Sequence, residues 1–91
     1  MLIIKRNGTT EEYQIEKIVN AAKKAFDSCS DITYSQETLL NIAKDVEKII
    51  INQSNTTVEQ IQDLVEESLM KNGYFQVAKS YILYRTNRSQ K

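Results

Sequence analysis

The 91 residues carry 12 Lys and Arg against 12 Asp and Glu, so no global field draws the chain onto nucleic acid or an anionic membrane. One cysteine and no histidine exclude an intrachain disulfide, a Cys-rich zinc site and imidazole chemistry. Hydrophobic content of 41% with 26% charged suits one soluble domain with a modest core, and without an apolar run of bilayer length the chain is expected to be cytoplasmic.

The chain opens on an apolar run, Leu2-Ile3-Ile4, followed by Lys5-Arg6 and then Asn7-Gly8. Asn-Gly favours a two-residue type I′ hairpin turn with both residues at positive φ, which predicts strands over about 2–6 and 9–14. Such a hairpin holds Lys5 and Arg6 near the start of the next helix, beside Lys17. Three cations and a few free helix N–H groups at one spot suit a polyphosphate. An ordinary edge hairpin with solvated charges satisfies the same local chemistry.

Ile15, Ile18, Val19, Ala22, Ala25 and Phe26 recur at three- and four-residue steps and predict a helix over about 15–28, with Lys23, Lys24 and Asp27 in solvent. Ser28 to Tyr34 lacks a period and reads as a loop, with Cys29 as a small, partly buried thiol rather than a nucleophile. Ser35 offers an N-cap to a helix over about 35–52, whose stripe is Leu39, Ile42, Ala43, Val46, Ile49 and Ile50. Thr57 and Gln60 fit a capping box ahead of a third helix, about 57–72, facing the core with Ile61, Leu64, Val65, Leu69 and Met70. Asn72-Gly73 ends that helix in the left-handed region. A fourth, about 74–88, carries Val77, Ala78, Tyr81, Ile82 and Tyr84 or Arg85.

The predicted class is therefore α+β: one domain over 1–91, a short N-terminal β-hairpin (about 2–14) capping a bundle of four α-helices. Catalytic equipment is not evident. Glu11-Glu12 and Glu66-Glu67 are adjacent pairs whose members point different ways, and they read as solvated charges. With Gly8 and Gly73 as the only glycines, neither a Walker loop nor a dinucleotide fingerprint exists, so a bound nucleotide would be held rather than turned over. The tyrosines read as core residues with hydroxyls at a boundary. Lys79, Arg85 and Arg88 read as a solvated face.

Three blocks together resemble the ATP-cone domain: Ile3-Ile4-Lys5-Arg6-Asn7-Gly8 with Glu11, Tyr13 and Lys17-Ile18; Val58-Glu59-Gln60-Ile61-Gln62-Asp63; and Gly73-Tyr74-Phe75 through Val77-Ala78 to Tyr81 and Tyr84-Arg85. They span essentially the whole chain in order. The resemblance implies a regulatory module found mainly at the N-terminus of ribonucleotide reductase large subunits, a position that Met1 just ahead of the first strand suits. It also occurs in the bacterial repressor of reductase genes, behind a zinc ribbon whose cysteines this chain lacks. Such a module binds ATP or dATP, with Mg²⁺, as an allosteric ligand without hydrolysing it. The partners it implies are reductase catalytic domains or subunits and further copies in a homo-oligomer; membrane and nucleic acid are not expected.

Carried over residue by residue, the resemblance implies that Lys5 and Arg6 contact phosphates and Ile3 packs near the base. Glu11, Gln14 and Lys17 would wrap the nucleotide, and Ile18 would give apolar contact. Val58, Ile61 and Gln62 would face adenine and ribose, and Arg88 would approach from the last helix. Gln14 and Gln62 depart from the family's usual residues and are the expected readers of the 2′-hydroxyl. The alternative is a small helical protein-interaction module whose hairpin cations are merely solvated.

Overall fold

The computed structural model describes the backbone of residues 1–89 and the side chains of residues 1–85. β1 (Leu2–Ile4) pairs antiparallel with β2 (Thr10–Glu12), placing Ile3 opposite Glu11. Side chains alternate across a strand, so Ile3 turns inward and is buried while Leu2 stays exposed.

The hairpin loop is not the expected type I′ turn. The Gly8 N–H donates to the Lys5 carbonyl at 3.0 Å and the Lys5 N–H to the Thr9 carbonyl at 2.7 Å, leaving Arg6, Asn7 and Gly8 in the loop. Gly8 has φ +86°, whereas Asn7 is not at positive φ. The Asn7 side chain explains the difference: its Oδ1 accepts from the Thr9 N–H at 3.1 Å and from the Thr9 hydroxyl at 2.6 Å. This local bond competes with the two-residue turn, and one left-handed residue suffices for a three-residue loop. The strands are correspondingly shorter than expected.

Four helices follow: α1 (Ile15–Asp27), α2 (Gln36–Ile50), α3 (Val58–Lys71) and α4 (Phe75–Ser89). Their ends follow local chemistry. Ser35 caps α2 by accepting from the Thr38 N–H, and Thr57 and Gln60 form the capping box of α3, with bonds of 3.1 and 3.0 Å. At the other end of α3, Gly73 at φ +86° lets its own N–H reach the Met70 carbonyl and the Tyr74 N–H reach Leu69, the paired bonds of a Schellman motif.

Each helix packs on the next and α4 returns to α1, closing a bundle around Phe26, Leu39, Ile42, Val46, Ile50, Val65, Leu69 and Val77. The Phe26 ring lies 5.0 Å from those of both Tyr34 and Tyr74, joining the α1–α2 loop and the start of α4 to the centre. Ile49, Met70 and Ile82, expected on core stripes, are instead exposed at 45%, 40% and 40%. Ile49 sits one residue off the inward row 39-42-43-46-50, and Ile50 takes the interior position in its place. Ile61 and Leu64 are only half-buried. No helix among the described residues is long and apolar enough to cross a membrane.

The hairpin is tied to the bundle by the α2–α3 loop. Asn55, at φ 60°, turns the chain so that the buried Thr56 presents its carbonyl to the Ile4 N–H at 3.0 Å, and Thr57 bridges Ile4 in parallel register. The N-terminus of α3 is thereby fixed beside β1.

Candidate functional site

Three elements meet on one side of the molecule: the inner face of the hairpin, the first turns of α1 and the first turns of α3. Between them lie two adjoining hollows. The first is an apolar cleft of about 220 Å³, walled by Ile3, Ile18, Ala21, Val58, Ile61, Val65 and Tyr81, with Tyr13 and Gln14 at its border. The second is a polar mouth of about 490 Å³ lined by Lys5, Arg6, Asn7, Glu11, Lys17, Val58 and Gln62. Glu11, Lys17, Val58 and Gln62 border both and so form the passage between them. An apolar slot with a few convergent polar groups is the usual build of a small-molecule site.

The structure thus brings Ile3, Lys5, Arg6, Glu11, Gln14, Lys17, Ile18, Val58, Ile61 and Gln62 to the two hollows. The Arg88 side chain lies outside the described residues.

The cations of the mouth are held by acids and amides. The Lys17 ammonium donates to Glu11 Oε2 at 2.7 Å, and that hydrogen bond is the main cause holding the Glu11 carboxyl below its ordinary value. Arg6 pairs through Nε with Glu59 Oε1 at 2.8 Å and donates to Gln62 Oε1 at 3.4 Å. Lys5 lines the mouth and adds to the positive field on Glu11. Gln14 occupies the N-cap position of α1 without a side-chain capping bond, which leaves its amide available at the border of the cleft.

Glu11 is therefore not the solvated charge expected from its pairing with Glu12: its side chain is 27% exposed and engaged by Lys17. Glu66 departs in the same way. At 17% exposure it pairs with the Arg85 guanidinium, itself 18% exposed and also 2.8 Å from Asp63 Oδ1. Arg85 does not belong to a solvated face; it clamps α4 onto α3, because a long side chain can swing its charge across an interhelical groove while its stem packs. Tyr13 conforms to a core residue with a boundary hydroxyl, donating to Glu47 Oε2 at 2.8 Å. Burial, then that bond to a carboxylate, push its phenol pKa up.

Sequence reasoning missed Glu59 as the partner of Arg6, and Ala21, Val65 and Tyr81 as cleft walls. Val65 and Tyr81 lie on the stripes read for α3 and α4 and Ala21 lies beside that of α1, but periodicity does not separate a stripe's core end from an end that opens on a cavity. Nothing in the sequence marks Glu59.

The sequence profile of the family described as ATP cone domain matches residues 1–90. Among curated proteins, the chain is 35% identical over 88 residues to the anaerobic ribonucleoside-triphosphate reductase of Haemophilus influenzae, covering 94% of this chain and 12% of that protein. It is 36% identical over 97 residues to the ribonucleoside-diphosphate reductase subunit alpha of Treponema pallidum, covering 100% of this chain and 12% of the relative. It is also 32% identical over 73 residues to the transcriptional repressor NrdR of Persephonella marina, covering 78% of this chain and 46% of the repressor. The chain thus spans about an eighth of the two reductases it matches.

Proposed function

The chain belongs to the ATP cone domain family, and from that premise we propose that it is an allosteric module that binds ATP or dATP without hydrolysing it. The observation that carries this reading is the junction of an apolar cleft with a mouth presenting Lys5, Arg6 and Lys17. A purine suits the first and a triphosphate the second. Each charge-assisted bond to a phosphate oxygen is worth about 1.5–3 kcal/mol. Mg²⁺ would arrive as the counter-ion of the nucleotide, since the described residues hold no group of three or more acidic side chains fit to bind it alone.

Ile3, Ile18, Val58 and Ile61 would sandwich the base; Lys5, Arg6 and Lys17 would neutralise the phosphates. ATP and dATP differ by one hydroxyl, so a polar group near the ribose must be paired with one ligand and not the other. Gln62, in the passage between the hollows, and Gln14 at the cleft border supply such amides. The regulatory effect is linkage: the nucleotide favours one arrangement of the module and its neighbours by no more than its difference in affinity for the two. The regulated protein would be a ribonucleotide reductase, as the reductase relatives suggest, and its oligomeric state would be the output.

A second reading, a protein-interaction module, draws on one observation: Phe75 and Leu83, eight residues apart on α4, are 68% and 59% exposed. Calorimetric titration of ATP and dATP with Mg²⁺ into the wild-type domain and a Lys5→Ala/Lys17→Ala variant separates the two. Saturable binding that the variant loses supports the nucleotide reading. A folded wild-type domain that binds neither nucleotide leaves the interaction module.

A further inference from the structure

We propose that the Tyr81 hydroxyl is a specificity-determining group of the cleft, hydrogen-bonding the N1 and 6-amino edge of the adenine base. The inference rests on the nucleotide reading above and adds a contact to it.

Tyr81 is 2% exposed and walls the apolar cleft but not the polar mouth. Its ring packs among core residues and lies 6.5 Å from that of Tyr84. Its hydroxyl makes no hydrogen bond among the described residues, although every fully enclosed side-chain nitrogen or oxygen there has a partner. Tyr81 lines the cleft, so a ligand lodged there lies against it. A tyrosine in an apolar wall keeps a polar handle in its hydroxyl, which a ligand can engage.

Orientation selects the atom. With the triphosphate among Lys5, Arg6 and Lys17, the base enters the apolar compartment ribose-first towards the mouth. The edge of a purine opposite its glycosidic bond, carrying N1 and the 6-amino group, then points away from the mouth, towards the compartment that Tyr81 walls. Burial, opposed in part by Arg85 and reinforced by Glu66, pushes the Tyr81 phenol up to about 12, so it enters the contact as a neutral hydroxyl able both to donate and to accept.

The test is a ligand–protein cycle on the whole chain. Wild type and Tyr81→Phe are titrated with ATP, purine riboside 5′-triphosphate (no 6-amino group) and 1-deazaadenosine 5′-triphosphate (no N1). Tyr81→Phe should weaken ATP about 3- to 10-fold, the worth of one neutral hydrogen bond, and this loss should vanish for the analogue lacking the bonded group. Loss of equal size on both analogues overturns the proposal, making Tyr81 an apolar wall; so does unchanged ATP affinity. Wild type alone provides an arm free of any folding defect: both analogues binding as tightly as ATP also overturns it. If wild type binds ATP but the cycle is flat, only this inference fails; if it binds no nucleotide, the functional reading fails and takes this one with it.

Discussion

Lys17, in the first turn of α1, donates to Glu11 on β2 at 2.7 Å across the passage between the apolar cleft and the polar mouth. The bond ties the hairpin to the first helix where a phosphate would need the same ammonium. A nucleotide binding there must take Lys17 from Glu11, and the carboxylate acts as a stand-in anion until it does.

The first expectation concerns pH. Lys17 holds the Glu11 carboxyl below its ordinary value of 4.5, so Glu11 contributes stability that is full above that value and is lost as pH falls through the lowered one. Lys17→Met should move the Glu11 titration back up towards 4.5, read from its side-chain carboxyl carbon by NMR. An unmoved midpoint would show that the pair does not persist in solution.

Glu59 occupies Arg6 as Glu11 occupies Lys17, the two side chains being 52% and 42% exposed. Exposed pairs are worth about 0.2–1 kcal/mol. Glu59→Gln should therefore tighten ATP binding about two- to five-fold, with the gain shrinking at high salt. Titration at two ionic strengths checks it, and weaker binding in the variant would mean that Glu59 positions Arg6 instead of competing for it.

Gly8 shapes the loop that presents Arg6. A Cβ placed there meets nothing within 4 Å, so Gly8→Ala is opposed only by its φ of +86°. The cost should be about 1–2 kcal/mol, lowering the melting temperature by roughly 4–8 °C per kcal/mol in a domain of this size. Gly8→Asn should cost less, because Asn visits the left-handed region more readily. Equal melting temperatures for wild type and Gly8→Ala would contradict the loop geometry.

Tyr81 makes the alkaline limb informative. Its phenol is raised to about 12 from 10.0, so its contribution to stability is complete below 10 and disappears as pH rises through the folded value. The loss across that window is on the order of 2–3 kcal/mol. Tyr81→Phe should delete the step near pH 12 from the ultraviolet tyrosinate titration and flatten the stability loss between 10 and 12.

The amino-acid sequence alone determined the order of the elements and the caps of the helices. Capping by Ser35 and Thr57, the glycine stop at Gly73 and the inward rows of α1 and α2 rest on interactions between residues three to five apart, which the order of residues specifies directly. The hairpin, the four helices and the family likeness were legible for that reason, as was the neighbourhood of Lys5, Arg6 and Lys17.

Only the tertiary structure decided the rest. Thr56 docking on Ile4 brought the start of α3 to the hairpin and set Glu59 and Gln62 against Arg6, the latter pair 56 positions apart. Arg85 turned from solvent to Asp63 and Glu66, and Tyr81 became a cleft wall instead of plain core. Each of these depends on which surfaces the packed helices leave facing one another, and helical period does not carry that information.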